Sequence, residues 1–130
     1  MIGRGAVLAL AFLLAGACAS DDDGRPSPGP IRHEVYFRLA DPALATALIE
    51  DVRRIIPRIP SVRSVDVGRR IESARGIVDS GYDVACSMSF RDESAYAAYL
   101  EHPLHLELLA TWKPRFAGIR AFDWRAVAAE

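Results

Sequence analysis

The chain is short of the features that usually give a function away. It has only two cysteines, Cys18 and Cys86, and three histidines among 130 residues. Neither sign of charge dominates: 17 acids face 16 bases, for a formal charge of −1. A balance this close provides no chain-wide field to draw nucleic acid or anionic lipid. The longest unbroken apolar run, Ala6 to Ala15, falls well short of the roughly 20 residues a membrane-spanning helix needs. Two cysteines cannot build a disulfide framework, so the fold has to stand on packing. The length leaves room for one modest core once the ends are discounted.

What is present at the N-terminus is an export pattern. Met1 to Gly5 carries a single charge, Arg4; the apolar run follows, and then the small residues Gly16 and Ala17 precede Cys18. These are the three regions of a secretory signal. Leu14-Ala15-Gly16-Ala17-Cys18 resembles a bacterial lipobox, with Ala15 where a leucine is usual. Residues 1–17 are therefore read as a signal peptide and Cys18 as the lipidated first residue of an exported protein anchored to the cell envelope. The membrane is then reached through the lipid alone. The alternative is cleavage after Ala17 or Ala19 and a soluble secreted protein. Residues 18–30 hold three aspartates, Gly24, Pro26, Pro28, Gly29 and Pro30. They offer no apolar surface to offset the entropy of ordering, and read as a disordered tether. With Cys18 lipidated, Cys86 is left unpaired.

The domain proper spans residues 31–125, with 126–130 as a tail. Ile31 to Leu39 alternates with period two, placing His33, Val35, Phe37 and Leu39 on one face, which predicts a strand. Asp41-Pro42 is a helix start, followed by Leu44, Leu48, Val52 and Ile55/Ile56 at helical spacing and stopped by Pro57 and Pro60. Val62 to Gly68 is a second strand, and residues 69–81 are a long connection ending in a turn at Ser80-Gly81. Tyr82 to Arg91 is the clearest strand: Tyr82, Val84, Cys86, Met88 and Phe90 form an apolar face opposite small polar residues. Asp92 caps a helix with Tyr96, Tyr99 and Leu100 inward. Pro103 opens another helix, with Leu104, Leu108 and Trp112 on one side. A last strand, Arg115 to Trp124, is anchored by Phe116, Ile119, Phe122 and Trp124. The order β-α-β-β-α-α-β implies an α+β, ferredoxin-like antiparallel sheet with helices on one face. Pairing two such sheets face to face would close a dimeric α+β barrel.

Two of the three histidines, His102 and His105, fall with Tyr99 in one short stretch, Tyr96 to His105. A histidine in an apolar pocket can act as a general base, and a tyrosine hydroxyl can polarise a carbonyl. The structural alternatives are a histidine that braces helix packing and a half-buried core tyrosine; a Tyr99–His105 hydrogen bond would suit either. A metal pair at His102 and His105 would need His33 as third ligand across a turn distorted by Pro103, so no metal is expected. Cys86, beside Met88 on the apolar face, reads as a small hydrophobe.

The motifs Arg32-His33-Glu34-Val35-Tyr36-Phe37, Gly81-Tyr82-Asp83, Phe90-Arg91-Asp92, Tyr99-Leu100-Glu101-His102-Pro103-Leu104-His105 and Phe122-Asp123-Trp124 together resemble the stress-responsive dimeric α/β-barrel (Dabb) family over residues 31 to 125. The resemblance implies a ferredoxin-like protomer and a homodimeric barrel. A plant member, olivetolic acid cyclase, closes a polyketide with a tyrosine and a histidine, and the motif carries these roles to Tyr99 and His105. It also places His33 near the same pocket. The resulting expectation is a site formed by His33, Tyr99, His102 and His105 that binds a small apolar or aromatic molecule, in a stress-related setting and without a cofactor. The alternatives are a cyclase- or lyase-like enzyme with His105 as base and Tyr99 as hydroxyl donor, or a structural dimer module with no ligand.

Overall fold

A computed structural model describes residues 27–128. The signal segment, Cys18 and all but the last residues of the expected tether lie outside the described residues. The elements are β1 (Ile31–Leu39), α1 (Ala45–Ile55), β2 (Ser64–Arg69), β3 (Val84–Phe90), α2 (Glu93–Leu100), α3 (Pro103–Trp112) and β4 (Phe116–Arg125). The four strands form one antiparallel sheet in the order β2-β3-β1-β4. The ferredoxin-like α+β architecture is as the alternation and spacing predict.

Strand β1 runs through the centre because its inward face buries Ile31, His33, Val35 and Leu39, with Phe37 partly buried between them. Its register fixes the neighbours of His33: Met88 on β3 and Asp123 on β4. Asp41 caps the first turn, its carboxylate accepting from the Ala43 amide at 3.0 Å, and Pro42 starts a 3-10 turn that leads into α1. Helix α1 then buries Ala45, Leu48, Ile49, Val52 and Ile55 against the sheet. Each of its larger apolar side chains stabilises the fold by about 1.5–3 kcal/mol relative to exposure. Asp92 caps α2 by accepting from Ala95 at 2.8 Å. His105, Leu108 and Trp112 form the buried stripe of α3.

Three expectations are corrected. Tyr82 does not join the face of Val84 and Cys86; it packs edge-on against Tyr36, with centroids 4.9 Å apart, on the opposite side of the sheet. The ladder begins only at Val84, and Asp83 is held out of alternation by its amide to Phe37 and its carboxylate to the Leu39 amide. Leu100, expected inward with Tyr96 and Tyr99, is 40% exposed, because it ends α2 just where the chain turns away. On β4, Phe122 and Trp124 do not anchor the core. Ile119, Ala121 and Asp123 pair with Phe37, Val35 and His33 on the helix side, so Phe122 and Trp124 point the other way, about half exposed. A register shift at Arg38/Leu39 still lets Phe116 stack on Phe37.

The sheet face away from the helices thus carries Tyr36, Tyr82, Phe122 and Trp124, with the Arg32 guanidinium 5.5 Å above the Trp124 ring. The connection between β2 and β3 crosses the edge of this face and is fastened by an Asp79–Arg120 ion pair.

The end of the expected tether is also ordered. Gly29 is buried, and its amide donates to Ser89 Oγ at 2.9 Å. Ala126 closes on the Pro30 carbonyl at 2.8 Å. A side chain at position 29 would meet the Phe90 carbonyl oxygen at 2.2 Å, so only glycine lets the backbone approach this closely.

Candidate ligand-binding pocket

A cavity of about 200 Å³ lies between the sheet and helices α1 and α3. Its walls are mostly apolar, with Leu48, Val52, Met88 and Trp112 among them; His33, Tyr99 and His105 also line it. Residues 72 positions apart in sequence meet here because β1 is central and the α2–α3 turn folds back over it.

His105 reaches the wall from the first turn of α3. Its Nδ1–H donates to the Leu100 carbonyl at 3.1 Å, and a carbonyl can only accept, so the proton of the neutral ring sits on Nδ1. Nε2 keeps its lone pair and has no partner among the described residues. Burial, the largest influence, pushes the pKa of His105 below its ordinary value, and the nearby His33 and His102 act in the same direction. The ring is therefore a neutral base at neutral pH.

Tyr99 is 3% exposed, and its ring lies 4.2 Å from that of His105 and 6.0 Å from that of His33. The two expected partners pack ring against ring, without the Tyr99–His105 hydrogen bond. The Tyr99 hydroxyl has no hydrogen-bond partner among the described residues. Burial raises its pKa strongly, so it remains an O–H donor. A hydroxyl left without a protein partner beside a cavity is a place for a ligand or a water.

His33 brings a network that sequence reasoning missed. Its Nδ1 lies 2.6 Å from Asp123 Oδ1. The Tyr96 hydroxyl donates to Asp123 Oδ2 at 3.0 Å and also lies 3.2 Å from His33 Nδ1. The carboxylate orients the ring so that Nδ1–H points to it and Nε2 is left open. Burial first, and then Asp123, push the Tyr96 phenol up to about 12, so Tyr96 too stays protonated. The signal for Asp123 was its position as an acid between two aromatics on an edge strand, but only the register puts it opposite His33.

His102 does not line the cavity. Its ring is spent as the cap of α3, Nδ1 accepting from the Leu104 amide at 3.2 Å, which draws it out of the expected binding set. Cys86 does line the wall, but burial pushes its thiol up to about 12, leaving it a hydrophobe rather than a nucleophile. Among the described residues no group of three or more His, Cys, Asp or Glu could hold a metal ion.

Residues 31–126 match the family model described as Stress responsive A/B Barrel Domain. A stress-response A/B barrel domain-containing protein of Arabidopsis thaliana is 25% identical over 97 residues, which cover 75% of this chain and 86% of the relative. Among solved structures, a dimeric ferredoxin-like protein of unknown function from Thermobifida fusca is 26% identical with a TM-score of 0.63, covering 75% of this chain and 92% of that one. A hydroxynitrile lyase from Passiflora edulis is 17% identical with a TM-score of 0.67, covering 80% and 99%, a likeness of fold alone.

Proposed function

The chain belongs to the stress responsive A/B barrel domain family, and from that premise we propose that it binds a small, partly apolar molecule in the cavity between sheet and helices. One observation carries the reading: Tyr99 is buried and lines the cavity, and its hydroxyl has no hydrogen-bond partner among the described residues. Nε2 of His105 and Nε2 of His33 stand open on the same wall. Apolar walls with a few convergent polar groups are the usual composition of a small-molecule site. A cavity of about 200 Å³ suits a single aromatic ring with a short substituent. The test is thermal unfolding with 4-nitrophenol as probe. The melting temperature should climb with probe concentration, and Tyr99→Phe or His105→Ala should abolish the rise. A wild-type melting temperature indifferent to 4-nitrophenol and to small aryl aldehydes and ketones would sink the proposal.

A second reading, proton transfer, is favoured by the His105 tautomer. With Nδ1–H committed to Leu100, Nε2 can take a proton from a carbon next to a carbonyl. The C–H electron pair moves into the carbonyl system, and the enolate oxygen accepts a hydrogen bond from Tyr99. A protein of the same fold is described as a hydroxynitrile lyase from Passiflora edulis, which supports an enzymatic reading of the scaffold without naming its chemistry here. Protein-dependent exchange of the methyl protons of acetophenone for deuterium, lost in His105→Ala, would support it; exchange that survives both Tyr99→Phe and His105→Ala would refute it.

The working unit is read as a homodimer whose sheets cover each other's open faces, as the Thermobifida relative is described as dimeric. Export and anchoring through Cys18 rest on the sequence pattern. Incorporation of labelled palmitate that disappears in Cys18→Ala checks them, and a stress role follows only if the anchored protein's absence alters survival under envelope stress.

A further inference from the structure

The proton-transfer reading leaves unexplained why a second histidine of the same wall is tied to a carboxylate that opens to solvent. His33 and His105 are equally buried, each 8% exposed. Their Nδ1 partners differ in kind. His105 donates to a backbone carbonyl, which cannot take a proton. His33 donates to Asp123, which can, and the Asp123 side chain is 52% exposed against 10% for that of His33. Asp123 therefore links His33, which lines the cavity, to water.

We propose that His33 is a second proton-exchanging group of the pocket, and that Asp123, positioned by Tyr96, connects it to solvent at the edge between β4 and α2. The proposal rests on the reading that the cavity handles protons. A ligand proton is taken at Nε2 of His33 while the Nδ1 proton passes over 2.6 Å to Asp123 Oδ1 and from there to water. The ring changes tautomer, the net charge of ring and carboxylate is unaltered once water has accepted the proton, and the reverse sequence returns a proton to the product and resets the ring. Tyr96 keeps the second carboxylate oxygen engaged, donating to Oδ2 at 3.0 Å, so that Oδ1 stays on His33. Its own proton is held by a phenol that burial and Asp123 keep protonated, which makes Tyr96 a positioning residue rather than a carrier.

The groups around His33 suit this division. From β4 it faces Asp123, from α2 Tyr96 and Tyr99, from α3 His105; its β3 neighbour is the apolar Met88. The Glu93–Arg125 ion pair at 2.5 Å, between α2 and β4, satisfies both of its members, leaving Asp123 to His33 and Tyr96. One end of the route is thus the cavity and the other the protein surface.

The test needs no ligand. In the purified full chain with ¹⁵N-labelled histidine, the Nδ1 protons of His33 and His105 are followed for exchange with water. The His33 proton should exchange about tenfold or more faster than that of His105, despite equal burial. In Asp123→Asn, which keeps an acceptor but cannot carry a proton, the His33 rate should fall to about that of His105, and Asp123→Glu should restore it. A structural hydrogen bond predicts the opposite sign, since weakening it exposes the proton and speeds exchange. Equal rates in the wild type, or faster exchange in Asp123→Asn, overturn the proposal. Because the wild-type comparison stands alone, a variant that fails to fold does not protect the idea. Failure of acetophenone exchange with a fast His33 proton would sink the enzyme reading but leave the relay in place.

Discussion

The indole N–H of Trp112 donates to the carboxylate of Asp51 at 2.9 Å, bonding α3 to α1 directly beside the cavity they roof. Trp112→Phe removes that bond and leaves a gap in the wall. Urea unfolding should show a loss of about 1–3 kcal/mol. If stability is unchanged, this bond does not hold the roof.

Asp51 also gives an acid dependence. The Arg54 side chain, foremost, and the Trp112 indole hold its carboxyl below the usual range. A depressed carboxyl contributes stability that is fully present above its unfolded value of about 4 and is lost as pH falls through the lower folded value. Unfolding free energy should therefore drop below about pH 4, and Asp51→Asn should flatten that drop. A wild type and variant with the same acid slope would contradict this.

His105 acts in a different window. Burial lowers its pKa, so the unfolded chain takes up a proton before the folded one does. Its contribution is complete above the ordinary histidine value of about 6.5 and declines as pH falls below it. Melting temperatures measured from pH 8 to pH 5 should decline in the wild type more than in His105→Gln. Any protein-dependent acetophenone exchange should likewise persist below that ordinary value. A profile that dies above about pH 6.5 would point to a different base.

Gly29→Ala should destabilise the fold by about 1–3 kcal/mol, because its added carbon meets the Phe90 carbonyl at 2.2 Å and backbone cannot step aside as a flexible side chain does. Equilibrium unfolding is again the measurement. Gly76→Ala, where an added carbon meets nothing within 4 Å, is the matched control and should cost little.

On the open sheet face, Phe122→Glu or Trp124→Glu would set a charge among Tyr36, Tyr82 and the remaining aromatic. Light scattering after size exclusion should show the homodimer shifting to monomer with the helical signal intact. A wild type already monomeric at micromolar concentration would remove the barrel from consideration.

The fold was legible where local chemistry decides it. The alternation from Ile31 to Leu39 ends where β1 ends, and the caps at Asp41 and Asp92 and the start at Pro103 need only neighbouring residues. The convergence of His33, Tyr99 and His105 on one wall followed from the family motifs together with the topology. Cross-strand register was not legible. The inward turn of Asp123 and the outward turn of Phe122 and Trp124 depend on which residue of β1 each faces, and one step of slip would reverse all three. His102 was misread for a related reason: its spacing from His105 suggests a shared site, whereas its location before Pro103 makes it a cap.

Cys86 has a practical consequence. It is the one cysteine among the described residues, 3% exposed, with its thiol pushed up to about 12. Such a thiol reacts slowly with maleimides and with disulfide reagents. In a chain whose Cys18 is lipidated or replaced, a cysteine introduced at a surface position of the domain would thus be labelled almost alone, without first replacing Cys86. Dyes on Val127, beyond β4, and on Ile71, in the β2–β3 connection, both exposed, could then report the proposed pairing of two copies.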